Sequence, residues 1–140
     1  MQHQISAITL GASSLEASRR FYVEGFGWSP VFANDEVLFY QMNGLMLTMW
    51  LREKLAEDGR RTLLAGPGGF APAHNVGSRE DIDAALAQLA NVGGVILRRG
   101  DAPPHGGYRG YVAGPDSHAW EIAPNPAWSI DAEDHITFGI

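Results

Sequence analysis

Glu121 is the residue of this chain whose type and setting point most directly to chemistry. It follows the turn Pro115-Asp116-Ser117 and stands alone as a carboxylate in the alternating run His118-Ala119-Trp120-Glu121-Ile122. Turn residues of this kind reverse the chain, and strand alternation sends successive side chains to opposite faces. Glu121 is therefore expected on one face of a sheet, with His118, Trp120 and Ile122 on the other. A carboxylate among apolar neighbours must be paired, protonated or bound to a metal. Unpaired, it can accept a ligand hydrogen bond or act as a general base, because burial moves a carboxyl toward a useful pKa. Arg109 is its candidate ion-pair partner. His105 lies in Pro103-Pro104-His105-Gly106-Gly107, a loop leading to the last strands, and could shuttle protons near neutral pH; a solvated loop histidine is the plainer reading. Tyr40, Trp50, Tyr108 and Tyr111 could wall a pocket and offer donors, although large aromatics in a small domain are more often simply core. No Ser-His-Asp grouping, phosphate loop or dinucleotide fingerprint is evident.

The composition narrows the class. The chain has 140 residues, which predicts one domain able to bury a core unaided. Hydrophobic residues are 45% and charged residues 19%, the balance of a soluble globular protein. The net charge is -6 and no Lys/Arg stripe is present, so nucleic acid is not expected as a partner. No cysteine occurs, which excludes disulfide and thiolate chemistry and suits the cytoplasm. No apolar run is long enough for a bilayer and no signal peptide is expected.

The elements that must position these residues repeat once. The first half opens with a strand, Ile5 to Ala12, and a capping box, Ser13-Ser14-Leu15-Glu16, that starts a helix ending near Gly25 and Gly27. Strands are predicted at Trp28 to Ala33, Glu36 to Met42 and Leu45 to Trp50, with Asn43-Gly44 as a strong hairpin signal. The second half opens with Phe70 to Val76. It has its own capping box at Ser78-Arg79-Glu80-Asp81 and a helix carrying Ile82, Leu86 and Leu89 on one stripe. Its strands are Val95 to Arg98, Gly107 to Ala113 and His118 to Ala123. The organisation is thus one domain of two βαβββ modules, about residues 4–51 and 69–124, joined by a linker at 52–68 and followed by a tail at 125–140. Trp128, Ile136 and Phe138 in that tail call for a surface to cover.

The order of elements, with Ser14-Leu15-Glu16-Ala17-Ser18-Arg19-Arg20-Phe21-Tyr22, Gly25-Phe26-Gly27-Trp28 and Gly106-Gly107-Tyr108-Arg109-Gly110-Tyr111 through Pro115 to Glu121, resembles the vicinal oxygen chelate superfamily of glyoxalase I, bleomycin-resistance proteins and extradiol dioxygenases. The resemblance covers nearly all of the chain except the tail. It implies an α+β fold in which two βαβββ modules form a curved mixed-sheet cup around a small-molecule site. In metal-dependent relatives the opening and last strands of each module supply His, Gln or Glu ligands to a divalent ion that polarises vicinal oxygens.

Carried over residue by residue, the ligand set is incomplete. Glu121 matches the final carboxylate ligand. The first module's positions fall at about Ala7 and Thr48, and neither side chain suits a transition ion. The second module's opening strand places the remaining position at Ala71 or Pro72 and not at His74. Alternation groups His74 with Phe70, Pro72 and Val76 on a helix-packing face and leaves Ala71, Ala73 and Asn75 to line the cup. A one-residue bulge after His74 would exchange the faces and make Glu121 and His74 a metal pair.

The resemblance and the residues together imply a small-molecule-binding protein of the glyoxalase/bleomycin-resistance type with a degraded metal site, capable of metal-free acid–base chemistry by Glu121. Its pocket would use Asn75, Thr48, Trp50, Tyr40, Tyr108, Arg109, Tyr111 and His105. Two alternatives stand beside this: a lyase or dioxygenase with an altered ligand set around iron, zinc, nickel or manganese, and an interaction module whose cup is filled by its own side chains. No cofactor is favoured. A homodimer is expected, because relatives often build the cup from two chains.

Overall fold

The structure, a computed structural model, describes residues 3, 5–64, 66–104, 106–124 and 126–138. Two four-stranded mixed sheets dominate it. The first is built from β1 (Ala7–Ala12), β2 (Phe32–Ala33), β3 (Val37–Gln41) and β4 (Met46–Leu51) in the order β1-β4-β3-β2. The second uses β5 (Ala73–Asn75), β6 (Val95–Asp101), β7 (Arg109–Ala113) and β8 (Ala119–Ala123) in the order β5-β8-β7-β6. In each sheet the opening strand runs parallel to the last strand, and the remaining pairs are antiparallel. The repeat expected from the chain's punctuation is therefore a repeat of topology.

Local chemistry explains most element ends. Ser14 Oγ accepts from the Ala17 N–H at 3.2 Å and starts α1 (Leu15–Arg19). Ser78 Oγ accepts from the Asp81 N–H at 3.2 Å and donates to Asp81 Oδ2 at 2.7 Å, fixing the start of α3 (Arg79–Asn91). Asn34 Oδ1 accepts from the Glu36 and Val37 N–H groups, both at 2.8 Å, and makes the turn into β3. Gly44 takes the φ of 99° that the Asn43-Gly44 hairpin needs.

The strands are shorter than the sequence suggests where proline intervenes. The stretch from Trp28 forms regular strand only at Phe32–Ala33, beyond Pro30. The stretch from Phe70 does so only at Ala73–Asn75, beyond Pro72; Pro has no N–H for the ladder, although its carbonyl still accepts from the Glu121 N–H at 2.9 Å. The first helix also departs from expectation. After Arg19 it continues as a π-helical stretch, Arg20–Gly25, and the adjacent Phe21 and Tyr22 both reach the core. The linker forms a short helix, α2 (Arg52–Asp58). The tail folds into an antiparallel hairpin of β9 (Ser129–Ile130) and β10 (Ile136–Thr137), which its composition did not reveal.

One core serves both modules. Leu10, Leu47, Met49, Leu38 and Tyr40 from the first sheet join Val112, Trp120 and Ile122 from the second, with Phe21, Tyr22, Ile82, Leu86 and Leu89 from the helices. The modules are also tied by polar contacts of long sequence separation. The Ser13 N–H donates to Asp116 Oδ1 at 2.8 Å. The Gln88 side-chain amide donates to the carbonyls of Glu24 and Gly25 at 3.1 and 3.0 Å. No helix among the described residues is long and apolar enough to cross a membrane.

Candidate functional site

Register decides which side chains share a face. Glu121 pairs with Tyr111 on β7 and with Ala73 on β5, and Asn75 pairs with Ala123. These residues stand on the face turned away from the common core, since their neighbours Trp120, Ile122 and Val112 are buried in it. Glu121 and Tyr111 are half-buried. The Tyr111 phenol is held above its ordinary pKa first by burial and then by the Glu121 charge. It therefore stays protonated at neutral pH and serves as a donor beside an acceptor. A hollow of about 330 Å³ opens over this face, bordered by Glu121, Asn75, Arg109, Tyr108 and Trp128. Among the described residues, its wall comes from the second module and the tail.

Arg109 does not pair with Glu121. Its guanidinium meets the Asp101 carboxylate on β6, which also receives Arg98 at 2.8 Å. The cause is register, because β6 and β7 set Asp101 directly opposite Arg109. Tyr108 has opposite parity to Arg109, and its hydroxyl donates to the Gly100 carbonyl at 2.8 Å while its ring carries the Arg79 guanidinium at 5.2 Å. That hydroxyl is thus already engaged. Tyr40 is a correction. It pairs with Leu47 on the core side of the first sheet and is fully buried beside Tyr22, at 5.8 Å between ring centroids. The four-aromatic wall is not formed, since Tyr40 faces the core and Trp50 lies on the first sheet while Tyr111 lies on the second. Thr48 and Trp50 share the outward face of the first sheet, where Thr48 pairs with Thr9 and Phe39. His105 lies outside the described residues.

His74 and Glu121 are on opposite faces of one sheet. The ladder runs without a break through Ala73–Glu121, His74–Ile122 and Asn75–Ala123, so no bulge exchanges the faces. His74 packs edge-on to Phe26 and Trp28, with ring centroids 5.5 and 6.0 Å away, and burial pushes its pKa down. The metal pair entertained from the sequence is corrected accordingly. At the positions where the resemblance places ion ligands, Ala7, Thr48 and Ala71 or Pro72 accompany Glu121, and only Glu121 offers an ionisable donor. Among the described residues no group of three His, Asp or Glu side chains converges. A donor set of one carboxylate does not fit a divalent catalytic ion, which takes about three protein ligands.

His118 sits at the joint of the modules, 8% exposed, with Nε2 3.3 Å from the Gly11 carbonyl oxygen. Its Nδ1 is buried and has no hydrogen-bond partner among the described residues. What sequence reasoning missed is a second hollow, between the modules, in which His74, Trp28 and Trp120 lie under the tail hairpin. The proximity of Phe26-Gly27-Trp28 to His74 is long-range, and no local signal announces it.

Comparison with known proteins places this geometry in a family. A glyoxalase-related enzyme from Fulvimarina pelagi is 52% identical and superposes with a TM-score of 0.96, over 99% of this chain and 100% of that one. A lactoylglutathione lyase from Agrobacterium tumefaciens is 18% identical with a TM-score of 0.71, over 94% of this chain and 100% of that one, and shares the fold. A glyoxalase/bleomycin resistance protein/dioxygenase from Nocardioides is 23% identical with a TM-score of 0.71, over 90% and 87% of the two chains. A search of curated proteins finds no match. The sequence profile of the glyoxalase/bleomycin resistance protein/dioxygenase superfamily matches residues 4–122, and the chain belongs to that superfamily.

Proposed function

We propose that this protein binds a small molecule on the Glu121 face without the help of a metal ion, and that Glu121 and Tyr111 can carry acid–base chemistry there. The observation that supports this most is the adjacency of one carboxylate and one protonated phenol on a half-buried sheet face, with alanine at the neighbouring position on β5. Glu121 would accept a proton or hydrogen bond from the ligand. Tyr111 would donate to an oxygen on which charge develops. Asn75, at the edge strand, offers both an amide donor and an acceptor to fix orientation.

The reading includes a second copy of the chain. The outward face of the first sheet carries Phe39 and Trp50, half-exposed, and Phe32, 49% exposed. Phe32 and Phe39 pack at 5.4 Å. An apolar face of this kind favours a covering partner. Docking it over the Glu121 face of another chain would bring Thr48 and Trp50 opposite Glu121 and close the hollow on both sides.

Two measurements test the proposal. Thermal shift against aromatic and dicarbonyl compounds should give a midpoint that rises with ligand concentration in the wild type and not in Glu121→Gln. Elemental analysis after mild dialysis should give no stoichiometric iron, zinc, nickel or manganese. An ion present in equimolar amount and lost in Glu121→Gln would overturn the metal-free reading. A monomer in sedimentation at micromolar concentration would overturn the shared cup.

A further inference from the structure

The larger hollow lies away from the Glu121 face. It measures about 610 Å³ and opens between the modules, with Trp28 and Trp120 on one side and Ile8 and Leu47 on another. Ile130 and Ile136 of the tail hairpin close over it. That size falls in the range of small-organic-ligand sites. Trp28, half-exposed, is stacked on Phe26 at 4.3 Å and stands edge-on to the buried Trp120 at 5.5 Å, so one indole face is left for the hollow. The Trp120 N–H donates to the Tyr22 hydroxyl at 3.3 Å and the ring is 4% exposed, so Trp120 backs Trp28 and offers a ligand no donor.

The charge around this hollow has one sign. Glu133 and Asp134 border it, and among the described residues no Lys or Arg does. His74 also borders it, but burial keeps that imidazole neutral at neutral pH, so it does not offset the two acids. Aromatic faces attract cations through their quadrupole, and the acidic rim adds to the attraction. An anion meets repulsion and no counter-charge. The rim is held in place because the Asn43 side-chain amide donates to the Asp134 carbonyl, tying the tail hairpin to the β3–β4 turn.

We propose that this cavity is a second ligand site, separate from the Glu121 face, which takes an organic cation with a flat apolar body laid between Trp28 and the acidic rim of Glu133 and Asp134. Among the described residues, Asn75 is the one polar side chain that borders both hollows.

The test is calorimetric titration of the full chain with N-methylquinolinium, neutral quinoline and naphthoate, followed in parallel by tryptophan fluorescence. It is run at about pH 8. N-methylquinolinium is expected to bind and quench fluorescence, quinoline to bind about tenfold more weakly, and naphthoate not to bind. The double variant E133Q/D134N lies on the exposed rim and should fold; it should lose most of the preference for the cation and keep the affinity for quinoline. Trp28→Leu should weaken both probes. Absence of N-methylquinolinium binding at millimolar concentration, equal affinity for the three probes, or an unchanged cation preference in E133Q/D134N would each overturn the proposal. So would loss of binding in Glu121→Gln with binding retained in E133Q/D134N.

Discussion

Replacing Gly94 by alanine tests whether the two modules share one rigid core. Gly94 closes the turn between α3 and β6. A Cβ there would meet the Leu89 carbonyl oxygen at 2.7 Å, Phe21 Cε2 at 2.9 Å and Val112 Cγ2 at 2.9 Å. None of these can step aside cheaply. The first is backbone, and Phe21 and Val112 are both fully buried, the one from the first module and the other from the second. Overpacking of this kind costs about 1–3 kcal/mol, and three simultaneous close contacts argue for the upper part, about 2–3 kcal/mol. For a chain of this length that is a drop of roughly 6–10 °C in unfolding midpoint. Gly25→Ala is the control at the same joint. Its Cβ would meet Leu89 Cδ2 at 2.7 Å and Val92 Cγ2 at 3.0 Å but no backbone atom, so the cost should be smaller than at Gly94, about 1 kcal/mol. Urea unfolding gives both numbers, and the slope against denaturant should not change. A Gly94→Ala protein within about 0.5 kcal/mol of wild type, or one less perturbed than Gly25→Ala, would refute the reasoning.

Other perturbations read single features. His74 titrates below its ordinary value of 6.5 because of burial, so the folded state binds fewer protons than the unfolded chain as pH falls. The stability is complete above the unfolded pKa and declines as pH drops through the folded one; the unfolding midpoint should fall as the pH is lowered below 6.5, and His74→Gln should flatten that dependence. Glu121→Gln removes the charge that raises the Tyr111 phenol, so Tyr111, followed by NMR of labelled tyrosine, should ionise at lower pH than in the wild type; an unmoved or higher titration would show that the two side chains are not neighbours. Ser78→Ala removes the α3 cap and should cost about 1 kcal/mol in urea unfolding, whereas an equal stability would mean water replaces the hydroxyl.

Much of the architecture was legible in the chain because it is written in short-range chemistry. The two serine caps, the Asn43-Gly44 hairpin and the stripe of Ile82, Leu86 and Leu89 depend on residues within a few positions of one another, and they fixed the order βαβββ twice. Alternation around Glu121 also fixed the face of that residue, since a period of two has no other solution inside a strand, and it put His74 on the opposite face for the same reason. The ion pair of Arg109 was not legible. Asp101 and Glu121 are both carboxylates within reach of its strand, and only the register of β6 on β7 selects Asp101. The role of Tyr40 was equally hidden. Its parity gave two faces, but which one meets Tyr22 and the core depends on how the helix lies across the sheet.

The sequence by itself determined the superfamily fold, the outward face of Glu121 and the positions of the turns. Tertiary structure alone decided that the tail becomes a hairpin, that Trp28 meets Trp120 and His74, and that an apolar hollow with an acidic rim lies between the modules. The division has one cause. Caps, turns and alternation are settled by neighbours along the chain, whereas a cavity is made by surfaces that meet only after the chain has folded back across scores of residues.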